Sequence, residues 1–125
     1  MSDVEYPDMR RQVIRALAAL SDSQYQQRVW VQRNVADPSF YDDLTQNIHV
    51  LYDDCQVLPQ PESRLRWVLI EGDEVGRLRA LDKLLGPMID DLGDAPDATY
   101  LQDGRWPAVM SAASSALSAM VLSGM

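Results

Sequence analysis

Apolar residues return at helical spacing through nearly the whole chain, and the spacing stops only where proline and glycine gather; no other feature constrains the fold as much. Met9, Val13, Ala16, Leu17 and Leu20 share one face of a helix expected from Pro7 to about Leu20. The fixed φ of Pro7 suits a first turn, and Asp8 suits the positive end of the dipole. Ser21, with Gln24 three residues on, matches a capping box and opens a second helix. Residues 28–33 alternate in a way that also permits a short strand, although helix is preferred.

Asp37-Pro38 pairs an N-cap with a proline at the first helical position and predicts a helix as far as Cys55. At ~100° per residue, Phe40, Leu44, Ile48, Leu51 and Cys55 fall within an arc of ~80°, flanked by Tyr41 and Tyr52, which makes them a core stripe. Leu58-Pro59-Gln60-Pro61 breaks the pattern, because proline lacks an amide hydrogen and biases its predecessor to extended backbone. Residues 65–70 then read as a buried segment, either a strand or part of a helix from Pro61. After a break and cap at Gly72-Asp73, Val75, Leu78, Leu81, Leu85, Met88 and Leu92 keep helical spacing up to a C-cap at Gly93. Gly86-Pro87 predicts a kink there, or two consecutive helices.

A final helix is expected from Trp106-Pro107, with Val109, Met110, Ala113, Leu117, Met120 and Val121 on one side and Ser111, Ser114, Ser115 and Ser118 on the other. About five helices with short connections, each with a stripe to bury, make an all-α, irregular bundle over a single domain, 1–125, with room for one short extended segment.

Charge narrows the partners. The formal net charge is -8, from 19 acidic and 11 basic residues, and no segment gathers Lys or Arg into a stripe that could neutralise phosphates. Nucleic acid and membrane are therefore not expected as partners, whereas a basic protein surface suits the charge. The uncharged stretch from Trp106 to Met125 is long enough to span a bilayer, but its five serines favour a packed terminal helix whose small-residue back could serve a homodimer. Met1-Ser2-Asp3-Val4-Glu5 lacks the features of a signal peptide, and the single Cys55 is expected as a buried thiol, so a cytoplasmic location is expected.

His49 is the only histidine. If the predicted helix holds, it lies opposite the core stripe with Asp42 seven residues before and Asp53 four after, and imidazole with carboxylates is ligand chemistry for zinc or manganese. No second histidine completes such a set, so a metal site at Asp42, His49 and Asp53 is the weaker reading and no cofactor is expected. The doublets Asp42-Asp43, Asp53-Asp54, Asp73-Glu74 and Asp90-Asp91, with Asp94 and Asp97, suit caps, solvation or recognition better than acid/base chemistry, since adjacent helical residues point apart. With Tyr41, Tyr52, Trp67, Tyr100 and Trp106 nearby, they suggest an acidic face carrying aromatic anchors. The glycines do not form a phosphate loop.

The run Phe40-Tyr41-Asp42-Asp43-Leu44, continued through Asp54, together with Met88-Ile89-Asp90-Asp91-Leu92-Gly93-Asp94-Ala95-Pro96-Asp97, Tyr100-Leu101 and Arg105-Trp106, resembles a family of short actinobacterial proteins of unassigned function. The likeness covers most of the chain, and it implies no activity and transfers no site residue. In size and charge the chain is also similar, more loosely, to immunity proteins that neutralise toxins of polymorphic toxin systems. The expectation is a protein-binding module rather than an enzyme, with Asp42, His49, Tyr52, Asp53, Asp90 and Asp91 facing the partner. A metal-dependent enzyme and a structural homodimer are the alternatives.

Overall fold

The computed structural model describes residues 4–123, which form six helices and, among those residues, no strand. Met1-Ser2-Asp3 and Gly124-Met125, which entered the reading of the two termini, lie outside the described residues. Helix α1 spans Pro7–Ser21. Helix α2, Ser23–Tyr25, continues as a π-helical turn over Gln26–Val31, and α3, Leu44–His49, continues likewise over Val50–Asp54. A 3₁₀ turn at Pro61–Arg64 precedes α4, Asp73–Leu92, then α5, Asp97–Gln102, and α6, Trp106–Ser123. An all-α bundle is therefore what the apolar spacing produces.

Helix α6 lies at the centre and packs against both α1 and α4. Ala113, Ala116 and Ala119 face inward and are buried, so the neighbouring helices can approach closely, while Trp106, Val109 and Met120 fill the remaining space. Leu17 and Leu20 of α1 and Leu78, Leu81 and Leu85 of α4 are fully buried; removing each from water contributes roughly 1.5–3 kcal/mol. By length and composition α6 is the one described helix able to cross a membrane, with a mean hydropathy of 1.2, but its apolar face is taken up by this packing. Val121, expected on that face, is exposed.

Inside the apolar core lies an ion pair that the stripes conceal. Arg10 of α1 grips Glu74 of α4 through two hydrogen bonds of 2.8 and 2.6 Å, with Arg10 5% and Glu74 0% exposed. The guanidinium also donates to the carbonyls of Val68 (3.0 Å) and Met120 (2.9 Å), and Glu74 Oε1 accepts the Ile70 amide at 2.9 Å. Every charge is thus paired and hydrogen-bonded, the condition under which buried ions are tolerated.

Several boundaries differ from expectation. Residues 37–43 are not helical: Asp37 accepts the Ser39 amide (2.9 Å) and hydroxyl (2.7 Å), closing an Asx turn around Pro38. The helix begins instead at Leu44, capped by Asp43, whose side chain accepts the Gln46 amide at 2.8 Å. Phe40 consequently leaves the core stripe and is exposed, while Leu44, Leu51 and Cys55 are buried and Ile48 is partly so. The cap of α2 is Asp22 rather than Ser21, through a bond from the Tyr25 amide (3.1 Å).

Residues 28–33 resolve as the end of the π-helical turn and its exit, with Arg33 at φ 57°. Residues 65–70 are neither strand nor helix but a tight turn, in which the Val68 and Leu69 amides both donate to the Arg64 carbonyl. Helix α4 runs unbroken through Pro87, which is exposed and removes one backbone hydrogen bond from it. Asp73 is the first residue of that helix instead of its cap; Gly72, at φ 134°, precedes it in a conformation that L side chains avoid. Gly93 ends the helix as expected, its amide bonding to Ile89 at 2.8 Å.

Candidate functional site

An open groove of about 820 Å³ runs between α3 and α4. Tyr52, His49 and Asp53 come from α3 and its π-helical continuation, and Asp82 and Asp90 from α4, with Asp94 just past its end. Ile48, Pro87 and Ile89 supply apolar surface. A π turn inserts one residue per turn relative to an α-helix and so rotates the side chains beyond it. Here Leu51 and Cys55 go to the core while Tyr52 is turned to the groove.

Tyr52 spans the groove floor and donates its hydroxyl to Asp82 Oδ1 at 2.7 Å. Burial pushes its phenol well above the ordinary range, and the Asp82 and Asp90 carboxylates push further in the same direction, so Tyr52 stays a neutral donor. Gly86 sits beneath this bond: a Cβ there would meet Asp82 Oδ1 at 3.3 Å and the Tyr52 hydroxyl at 4.0 Å. Tyr100, buried at the end of the groove, donates to the Gly93 carbonyl at 2.7 Å. His49 and Asp53 contact one another through Nδ1 and Oδ2, four residues apart on an exposed face.

Four of the six residues expected to face a partner, His49, Tyr52, Asp53 and Asp90, are brought together in this groove. Asp91 points elsewhere and pairs with Arg105 at 2.7 Å. Asp42 is the clear correction, and the reason is the late start of α3: as a loop residue, it has no helical register with His49. Its Oδ2 accepts the Tyr25 hydroxyl and the Trp30 indole, each at 2.8 Å, and its Oδ1 accepts the Asn47 amide group at 3.0 Å. Asp42, His49 and Asp53 therefore do not converge, and among the described residues no group of three or more His, Cys, Asp or Glu is placed to hold a metal ion.

The aromatics separate in the same way. Trp106 is buried, donating to Gln26 at 3.0 Å, and Trp67 stacks on Tyr6 with ring centroids 5.8 Å apart. Tyr41 is exposed, under the Arg33 guanidinium. Cys55 is the buried thiol expected, its pKa pushed up by burial.

Sequence reasoning missed Asp82, and it grouped Asp94 and Asp97 with the acidic doublets without giving either a role of its own. Asp97 of α5 accepts the Leu44 amide at 3.0 Å and so fixes the start of α3 beside the groove. Burial raises its carboxyl above the ordinary 3.8, and Asp43 and Asp42 add to the rise against the Leu44 amide and Arg33. A raised folded-state value favours the protonated form in the fold, so the ionised group costs stability above that value, and the cost vanishes as pH falls towards 3.8. Asp97→Asn keeps an oxygen for the Leu44 amide and should be at least as stable as wild type at pH 7. Its advantage should shrink as melting temperatures are compared down to pH 4; a difference independent of pH would contradict this.

No curated protein and no solved structure matches the chain. A family model does, over residues 4–124, and its description is "Domain of unknown function (DUF7945)".

Proposed function

The chain belongs to this family of domains of unknown function, and from that premise we propose that it is a protein-binding module whose α3–α4 groove receives a basic partner. The observation that carries the reading is the groove's unmatched charge. Asp53, Asp82, Asp90 and Asp94 line the groove with Lys83 and His49 as its basic residues, and among the described residues Asp90 and Asp94 have no ion-pair partner. Complementary charge raises encounter rates and selects against wrong partners, while Tyr52, Ile48 and Pro87 provide contact area to be desolvated. In its finer form, the proposal is an immunity-like module that covers a basic toxin surface in the cytoplasm, and it expects a toxin gene beside this one.

Affinity capture from native lysate with wild type and with Asp53→Arg/Asp90→Arg tests the reading. A basic protein held by wild type and lost by the variant is the expected result. Equal retention by both removes the groove from the interaction, and recovery of only the chain itself favours self-association.

A further inference from the structure

We propose that the occupant of the groove is an amphipathic helix of the partner, carrying Lys or Arg at two positions eight residues apart, one met by Asp82 and the other by Asp90 and Asp94. The proposal rests on the docking reading and adds the shape and spacing of what docks. Both long walls of the groove are helices, α3 and α4, whose backbone groups are largely bonded within themselves. They offer no row of free amides and carbonyls to which an extended peptide could add as a strand, whereas a helix arrives with its own backbone satisfied. The groove is an open trough, and a helix laid along it would complete a three-helix layer by ordinary side-chain packing.

Charge sets the register. Asp82 and Asp90 are eight residues apart on one helix, a rise of about 12 Å, the same as eight residues of a helix packed alongside. Between them lie Gly86 and Pro87, with Ile48 opposite, so apolar residues belong in the middle of the partner's stripe. Tyr52 engages only Oδ1 of Asp82 and leaves Oδ2 for a cation.

The test uses a fluorescent synthetic helix of about 18 residues, long enough to hold helical structure, with two lysines eight apart and leucines between them. The control has the same composition but places the second lysine on the opposite face. Anisotropy titration of the full chain should show saturable binding of the matched helix, about tenfold tighter than the control, because charges in register are worth about 1.4 kcal/mol. Asp90→Asn, an exposed change, and Asp82→Asn, which keeps an acceptor for Tyr52, should each weaken the matched helix several-fold, whereas the control, with one lysine in register, should respond to at most one of the two. Equal affinity for both helices, displacement of the matched helix by spermidine at equal charge concentration, or no saturable binding would overturn the proposal. If lysate capture still depends on Asp53 and Asp90 while the matched helix fails to bind, the docking groove stands and the helical occupant falls.

Discussion

Replacing Glu74 with leucine should cost the fold about 3–5 kcal/mol, the loss expected when one member of a buried ion pair is removed. The Arg10 guanidinium would remain 5% exposed with its carboxylate gone, holding only the Val68 and Met120 carbonyls, and the Ile70 amide would lose its acceptor. Domains of this size have roughly 5–15 kcal/mol in total, so the variant should unfold at much lower urea than wild type and could be partly unfolded at growth temperature. Arg10→Met should fail similarly, whereas Arg10→Met/Glu74→Leu together should recover most of the loss, because apolar residues of like volume often replace a buried pair at little cost. Urea midpoints of the four proteins decide it. A Glu74→Leu midpoint close to wild type would show that water or repacking relieves the arginine.

Asp42→Ala should come next, at roughly 3 kcal/mol, since it strands several donors at once and each unsatisfied buried donor costs about 1–3 kcal/mol. The Trp30 indole and the Asn47 side chain belong to buried residues, and the Tyr25 hydroxyl is partly covered. Tryptophan fluorescence would follow the change directly, because Trp30 loses its hydrogen-bond acceptor and gains water. Asp42→Asn should cost less, since its carbonyl oxygen still accepts. If Asp42→Ala melts with wild type, Asp42 is not the hub that the geometry describes. The result also bears on the docking site: a partner lost with an Asp42 variant would report a disturbed fold, while one lost with Asp90 variants would report the groove.

The helices were legible because their stripes are long: Val13, Leu17 and Leu20, or Leu78, Leu81 and Leu85, leave few alternatives to a buried helical face. The clamp was not read, because apolar residues alone do not reveal it, but its trace is in the spacing. At ~100° per residue Arg10 lies within ~20° of Leu17, and Glu74 within ~20° of Leu81, so two opposite charges sit on two core stripes. The start of α3 went wrong because Asp37-Pro38-Ser39 fits an Asx turn as well as an N-cap. Asp43-Leu44-Thr45-Gln46, with its acidic cap and Gln three residues on, was the better signal. The misplacement of Asp42 came from that error. The π-helical turns leave no periodic trace in the sequence, although Tyr52, four residues after Ile48 and three after His49, reaches the groove face that helical spacing allows. The role of Asp97 could not be read from spacing, because its bond to Leu44 joins residues 53 apart in the chain.

The clamp also bears on how the protein is made. Its four corners are Arg10, Val68, Glu74 and the carbonyl of Met120, so the first helix of the described fold to leave the ribosome waits for nearly the last residues of that fold. Until they emerge, a nascent chain holds a charged guanidinium on the face of α1 that must enter the core, and α1 cannot bury that face without leaving the arginine partly unpaired. The order of synthesis thus withholds the native core until α6 has emerged, which makes chains halted before it candidates for chaperone capture or proteolysis rather than for a stable partial fold.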